Sequence, residues 1–156
     1  MITYGECNTE CLFSKVILGQ KAKHLQGKDR VVKRIMDENG VLGIIDLDPS
    51  KPTGKYLEQI KRIEPVFNEI DIILRKFKSS YLIEISPYFE EWLVNLSRKS
   101  NVSPKDFNLP ENPKKLHELI SIKGRFDKLE ERIGGLLEAI ISKNKEHFNK
   151  LKNNIK

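Results

Sequence analysis

Four acidic residues at two places in this sequence have the spacing of a carboxylate metal site. Glu6 and Glu10 lie four residues apart, and Asp46 and Asp48 lie two residues apart after the apolar run Val41–Ile45. Carboxylate oxygens are the usual ligands of Mg²⁺ and Mn²⁺ in proteins. Carboxylates that converge remain ionised together only when a cation or a basic side chain offsets their repulsion. The pattern therefore predicts a Mg²⁺ or Mn²⁺ centre suited to phosphoryl transfer or phosphodiester cleavage.

Each acid also has an ordinary structural explanation. Asp48 precedes Pro49 and would suit a turn, while Glu10 in the first turn of a helix would interact favourably with the helix dipole. Asp46 directly follows an apolar strand, and Glu6 follows the first strand, so these two are harder to explain in this way. The joint pattern supports the metal hypothesis, with Glu6, Asp46 and Asp48 as the candidate catalytic residues.

The elements that must position these acids are predicted from the apolar periodicity. Apolar runs predict strands at residues 2–4, 23–25, 41–45 and 81–85. Helical spacing predicts helices between them, and the ambiguous residues 66–77 also suit a helix. This order implies an α/β fold with a small, parallel, four-stranded, Rossmann-like sheet and flanking helices. Ligands of such sheets bind beyond the carboxyl ends of the strands, which is where the acids fall.

The character of the sequence changes after Pro87. Phe89, Trp92, Leu93 and Leu96 recur with helical spacing, and further helical patterns continue towards the C-terminus. The sequence therefore predicts an α/β domain at residues 1–86 and an all-α extension at residues 87–156 that packs on it. The extension would cover a sheet edge, close over the site, or form the contacts of a homodimer or of a complex with a partner protein.

Composition limits the classes of function. The chain has 156 residues, of which 38% are hydrophobic and 32% charged, enough for one core. No apolar run approaches the ~20 residues needed to span a bilayer, and no apolar signal region is evident, so the cytoplasm is the expected compartment. Cys7 and Cys11 have no histidine at zinc-ligand spacing, and no Ser-His-Asp or Cys-His catalytic set is evident.

The basic residues favour an anionic partner. The formal net charge is +6, which permits nucleic-acid binding without demonstrating it. Lys28 and Arg30 lie between the first and third predicted strands, and Lys51 and Lys55 follow Asp48. These four are the candidate nucleic-acid-binding residues, for DNA or RNA, although a solvated helix face also explains the first two.

Two segments resemble the motifs of a known family. The segment YGECNTE at residues 4–10 has a strand that ends in an acid, with a second acid four residues later. The segment GIIDLD at residues 43–48 is a hydrophobic strand that ends in Asp-x-Asp. Both resemble the toprim family, found in type IA and type II topoisomerases, bacterial primases and OLD-family nucleases. The resemblance covers residues 1–86, with Cys7 at a position where the family usually has glycine.

The resemblance implies roles for particular residues. Glu6 would be a metal ligand or general acid/base, and Asp46 and Asp48 would hold Mg²⁺. In OLD-like members the second acid, here Glu10, helps to bind a second metal.

In OLD-like members an acid after the fourth strand also contributes to metal binding. Glu90 and Glu91 are the candidates here, and Glu84 is less favoured because it lies within the strand. Glu90 therefore completes the predicted metal set of Glu6, Glu10, Asp46, Asp48 and Glu90.

Two functions remain open at this point. The first is a Mg²⁺-dependent toprim-type nuclease, a hydrolase that acts on phosphodiester bonds of nucleic acid. The alternative is a non-catalytic toprim-fold subunit that binds nucleic acid or regulates a defence or repair assembly. A phosphohydrolase with Asp-x-Asp is disfavoured, because that motif would lie on the first strand and here it follows the third.

Overall fold

The computed structural model describes all 156 residues and contains one six-stranded sheet with helices on both faces. The strands are β1 (Ile2–Gly5), β2 (Ala22–His24), β3 (Val41–Asp46), β4 (Pro65–Glu69), β5 (Ile72–Phe77) and β6 (Ser80–Ile85). The helices are α1 (Asn8–Phe13, continued by a π-helical turn at Ser14–Leu18), α2 (Lys28–Asp37), α3 (Lys55–Lys61), α4 (Phe89–Lys99), α5 (Pro113–Ile120), α6 (Phe126–Lys143) and α7 (Lys145–Asn154), with a 3₁₀ turn at Pro104–Phe107. The predicted α/β class is confirmed.

The strand order places the ends of β1, β3 and β6 at one edge of the sheet. The order is β2-β1-β3-β6-β5-β4, in which β2, β1, β3 and β6 run parallel and β5 and β4 are antiparallel. Gly5 at the end of β1 lies opposite Ile44 of β3, and Asp46 lies opposite Ile85 at the end of β6. Residues that follow these strands therefore meet in space.

The helix predicted at residues 66–77 is wrong, because these residues form the β4–β5 hairpin. The sheet is consequently mixed and has six strands, where four parallel strands were expected. Ile70 and Asp71 form the two-residue connection, with φ of 50° and 55°. Positive φ at both positions gives a turn whose twist matches the flanking strands. Glycine or asparagine usually marks such a turn, and neither occurs at these two positions. Without that signal, the apolar spacing of residues 66–77 indicated a helix.

The two faces of the sheet are covered by different helices. The side chains of Val41 and Ile45 in β3 pack in a cluster with Val31, Val32 and Ile35 of α2. The alternate residues Leu42 and Ile44 belong to a larger cluster of 25 buried residues on the opposite face. Because β3 is buried on both faces, its nearly continuous apolar sequence is typical of a central parallel strand.

The helices after residue 87 share the larger core with the sheet. Trp92 of α4, Leu137 of α6 and Phe148 of α7 are almost fully buried in that cluster. The indole Nε1 of Trp92 also donates a hydrogen bond to the carbonyl oxygen of Ile70, at 2.8 Å. The C-terminal helices therefore form an integral layer over one face of the sheet, including its β4–β5 hairpin.

No helix in the structure combines the length and the apolar composition required to cross a membrane.

Gly43 allows α2 to approach β3 closely. A Cβ atom at this position would lie 2.5 Å from Cδ1 of Ile35 and 2.8 Å from Cγ1 of Val31. We expect Gly43→Ala to lower the free energy of unfolding by about 1–3 kcal/mol, because the packed core must shift. Urea denaturation would measure the change.

Gly134 provides the matched control. It lies within α6, and a Cβ there would meet no atom closer than 3.9 Å. We expect Gly134→Ala to raise stability by about 0.5–1 kcal/mol, because alanine favours the helix. Equal changes in the two variants would contradict the close packing inferred for Gly43.

Candidate metal and substrate site

The acids predicted from the sequence converge on a cleft of ≈ 310 Å³ beyond the ends of the parallel strands. Four of the five predicted metal ligands line it. The lining residues are Glu6, Cys7, Thr9, Asp46, Asp48, Ser50, Lys51, Tyr88, Glu90, Lys114 and His117. Larger clefts lie elsewhere on the surface, but none of them contains these acids.

Strand pairing accounts for the convergence. The backbone N–H of Glu6 donates to the carbonyl oxygen of Ile44, at 3.2 Å, which places Glu6 beside the end of β3. The backbone N–H of Leu47 donates to Ile85 at the end of β6, at 2.9 Å. The chain then leads from β6 into α4, whose first turn carries Glu90. The side chains thus come from three adjacent strand ends.

Glu6 has the carboxylate that is least satisfied within the cleft. Its Oε2 atom is buried and has no hydrogen-bond partner. Burial and, to a lesser extent, the nearby Asp46 carboxylate together raise the pKa of Glu6 to about 7, against the opposing effect of Lys28. An unpartnered carboxylate oxygen in a polar cleft is a suitable position for a cation, because a cation would stabilise the ionised form.

Asp46 and Asp48 are partly neutralised by lysines. Lys28 Nζ lies 3.3 Å from Asp46 Oδ1, and both side chains are largely buried. Asp48 accepts hydrogen bonds from the Ser50 hydroxyl and from the Ser50 backbone N–H, and Lys51 Nζ lies 3.5 Å away. The hydrogen bonds from Ser50, together with the lysines, hold the pKa of Asp48 below its usual value.

Glu10 lies behind the cleft rather than in its wall. It is fully buried and accepts hydrogen bonds from the backbone N–H of Cys7, at 3.0 Å, and from the Thr9 hydroxyl, at 3.2 Å. Burial raises its pKa to about 7. The contact with Cys7 closes a capping box at the start of α1. In this arrangement Glu10 caps the helix that follows Glu6 and so supports the position of Glu6.

Among the three acids considered after the fourth strand, Glu90 is the one that lines the cleft. Glu90 is buried, with its Oε1 atom 3.1 Å from Nδ1 of His117, and burial raises its pKa. Glu84 lies within β6 and pairs with Arg75. Glu91 interacts with the Tyr88 hydroxyl, whose pKa is raised mainly by burial and also by Glu91.

The candidate nucleic-acid-binding residues separate into two groups. Lys51 lines the cleft, and Lys28 pairs with Asp46 there. Arg30 lies in a separate surface groove formed by α2. Lys55 Nζ lies 4.9 Å above the ring of Tyr56, where it makes a cation–π contact. The structure therefore brings Lys28 and Lys51 to the acids, whereas Arg30 and Lys55 lie outside the cleft lining.

Two of the lining residues that sequence reasoning missed come from α5. Lys114 and His117 lie one helical turn apart and form part of the cleft wall. The sequence carries no local signal of this role, because the two residues are more than 65 positions from Asp48 and reach it only through helix packing.

The residues present suit a hard divalent cation, although they do not form a preassembled cage. No group of three or more His, Cys, Asp or Glu side chains is positioned to hold a metal ion without rearrangement. The oxygen-only donor set and the unpartnered Oε2 atom of Glu6 nevertheless fit Mg²⁺ or Mn²⁺. Mg²⁺ usually takes one or two protein carboxylates together with water and substrate phosphate, so a complete cage is not required.

Comparisons with protein-family models, with curated proteins and with solved structures found no match for this chain.

Proposed function

We propose that this protein carries out Mg²⁺-dependent phosphodiester hydrolysis on nucleic acid, as a toprim-like nuclease. The observation that carries the proposal is the arrangement of Glu6, Asp46, Asp48 and Glu90 around one cleft at the ends of parallel strands. This is the usual position of ligand sites in parallel α/β sheets. The parallel strands β2, β1, β3 and β6 would be the toprim-like core, and β4 and β5 an addition at its edge.

The residues have complementary roles in this proposal. Glu6, Asp46 and Asp48 would hold the cation, with Glu90 of α4 as a further ligand. A bound Mg²⁺ supplies charge neutralisation at the phosphate and lowers the pKa of coordinated water. Glu6 is the candidate metal ligand or general acid/base, and its pKa of about 7 describes the cleft without a cation, because a bound cation would favour the ionised carboxylate. Lys51 would bind a substrate phosphate, and the net charge of +6 favours a polyanionic substrate.

The second candidate function is a non-catalytic nucleic-acid-binding or regulatory module with the same fold. The ion pairs Lys28–Asp46 and Lys51–Asp48 favour it, because they offset two of the carboxylate charges without a metal. The two candidates differ in metal dependence, which can be measured directly.

The test is a double substitution, Asp46→Asn with Asp48→Asn. Asparagine keeps the size of each side chain and an acceptor for Ser50, but removes the charge. We expect Mg²⁺ and Mn²⁺ binding by calorimetry to be lost, and cleavage of plasmid and single-stranded substrates to fall by on the order of a thousand-fold or more. Circular dichroism should show an unchanged fold.

Asp106→Asn with Asp127→Asn is the matched control. Both side chains are exposed and lie outside the cleft lining. The control should retain metal binding and cleavage. Metal binding by the wild type without cleavage would favour the non-catalytic module. Absence of metal binding in the wild type, or unchanged cleavage in the double variant, would overturn the proposed nuclease.

A further inference from the structure

Helix α5 forms a basic wall of the cleft that the acids line, next to Glu90. Lys114 and His117 lie three positions apart, so both point to the same side of the helix, and both line the cleft. The remaining lining residues come from the strand ends, the loop after β3 and the start of α4. One wall of the cleft is therefore acidic and the other carries a cation and an imidazole.

The contacts of α5 hold this wall in place. Leu116, between the two lining residues, is fully buried in the larger core. The side chain of Asn112 caps the helix by accepting a hydrogen bond from the backbone N–H of Lys115, at 3.0 Å. The bond between His117 and Glu90 ties α5 to α4 at the cleft. The packing of α5 thus fixes the backbone at Lys114, and the flexible side chain of Lys114 determines where its amine lies in the cleft.

Lys114 differs from the other lysines of the site because it makes no salt bridge. Lys28 pairs with Asp46, and Lys51 pairs with Asp48. Lys114 is exposed and has no carboxylate within ion-pair distance. A lysine that is held at a cleft without a partner is available to an anionic ligand, and phosphate is the anion that the proposed chemistry provides.

The size of the cleft limits which molecule can carry the phosphate that Lys114 would bind. Its volume of ≈ 310 Å³ is at the low end of the ~300–1,000 Å³ of ligand pockets. A space of this size accommodates one nucleotide unit, whereas a stacked base pair would remain outside. A single strand can place one nucleotide unit in such a space directly, whereas a duplex must first unpair and unstack that nucleotide at a cost of about a few kcal/mol.

We propose that α5 is the substrate wall of the site, where Lys114 binds a phosphate of single-stranded nucleic acid beside the carboxylates. This inference rests on the proposed function and adds the class of substrate and the residue that binds it. The strand would lie between the acidic wall, which holds the cation, and the basic wall of α5.

The experiment measures binding without cleavage. A fluorescein-labelled single-stranded oligodeoxynucleotide, and an oligoribonucleotide of the same sequence, are titrated with protein in Ca²⁺ and followed by fluorescence anisotropy. We expect Lys114→Gln to weaken binding about 5- to 10-fold and to reduce the slope of log K against log salt concentration by about one. An unlabelled duplex of the same length should compete much more weakly than the single strand.

Lys115→Gln is the matched control, because Lys115 is exposed on the same helix and lies outside the cleft lining. It should change binding less than about two-fold. Equal effects of the two substitutions would overturn the role of Lys114 while leaving the proposed nuclease intact. Equal competition by the duplex would overturn the single-stranded preference. A wild type that binds neither nucleic acid would overturn the proposed function, and this inference with it.

Discussion

Glu6→Gln is expected to reduce metal-dependent cleavage by about a hundred- to a thousand-fold while making the metal-free protein more stable above pH 7. The two effects have one cause. The buried, unpartnered carboxylate of Glu6 costs free energy when it is ionised, and it is also the group best placed to meet a cation. Glutamine resembles the protonated acid. It therefore removes both the free-energy cost of the buried charge and the carboxylate that would bind the cation.

The direction of the pH dependence follows from the raised pKa. The pKa of Glu6 rises from its ordinary value of 4.5 to about 7 in the folded protein, mainly through burial. A folded state that holds its proton more tightly is favoured at low pH, so this contribution to stability is lost as the pH rises from 4.5 through 7. The wild type therefore loses stability over that range. Glu10 has a similar shift, but it is present in both proteins and largely cancels in the comparison.

Thermal denaturation with and without Mg²⁺ would measure both effects. Without metal, the melting temperature of Glu6→Gln should exceed that of the wild type above pH 7 and approach it near pH 4.5. Added Mg²⁺ should raise the melting temperature of the wild type most above pH 7, because protons compete for the ligand at lower pH. The variant should show little response to Mg²⁺, and its cleavage should fall by about a hundred- to a thousand-fold.

Glu64→Gln is the control, because Glu64 is exposed in the turn before β4. It removes the same charge from the protein without changing the cleft, so it should behave like the wild type. If Glu6→Gln lost stability above pH 7, or still responded fully to Mg²⁺, the role given to this carboxylate would be wrong.

The acids at strand ends could be located from the sequence because their signals are local. Asp46 follows an apolar strand that is buried on both faces, and this pattern places it at a carboxyl end. Glu6 follows Gly5 in the same way. The pairing of β1 with β3 then brings the two acids together. Local pattern and sheet topology agree here, so the convergence of the acids could be predicted before the structure was known.

Other features depend on contacts that no local pattern reports. Ile70 and Asp71 adopt a tight hairpin turn without glycine, because pairing of β4 with β5 outweighs their preference for negative φ. Lys114 reaches the cleft only because Leu116 inserts into the larger core. Glu10 was predicted as a ligand, but its hydrogen bonds are made within the first turn of α1. Each of these is a tertiary or capping effect that the apolar spacing does not show.

Arg75→Met is expected to lower the free energy of unfolding by about 3–5 kcal/mol, the usual cost of breaking a buried ion pair. Glu84 in β6 has no exposed surface, and its Oε1 atom accepts a hydrogen bond from Nε of Arg75, at 2.6 Å. Its Oε2 atom has no partner. Arg75 also donates to the carbonyl oxygen of Ile63, so its loss leaves the buried Glu84 carboxylate and the partly buried Ile63 carbonyl without this donor. Chemical denaturation in urea would measure the change.

Two further variants separate the charge effect from general disturbance of β5. Lys76→Met alters the next residue of the strand, which is exposed, and should change stability by less than about 1 kcal/mol. Arg75→Met combined with Glu84→Leu removes both charges, and should recover most of the loss, because apolar replacements of a buried pair are often neutral. A double variant as unstable as Arg75→Met alone would contradict the ion-pair explanation.

This ion pair also has a consequence for the site. Arg75 joins the antiparallel edge of the sheet to β6, and β6 ends at Ile85, opposite Asp46. In Arg75→Met the buried charge of Glu84 would be relieved by local opening of β6, which leads directly to Glu90. We therefore expect amide hydrogen exchange in β6 and the start of α4 to increase more than exchange in β1. Uniform exchange across the sheet would show instead that the pair stabilises the whole fold without a local effect on the cleft.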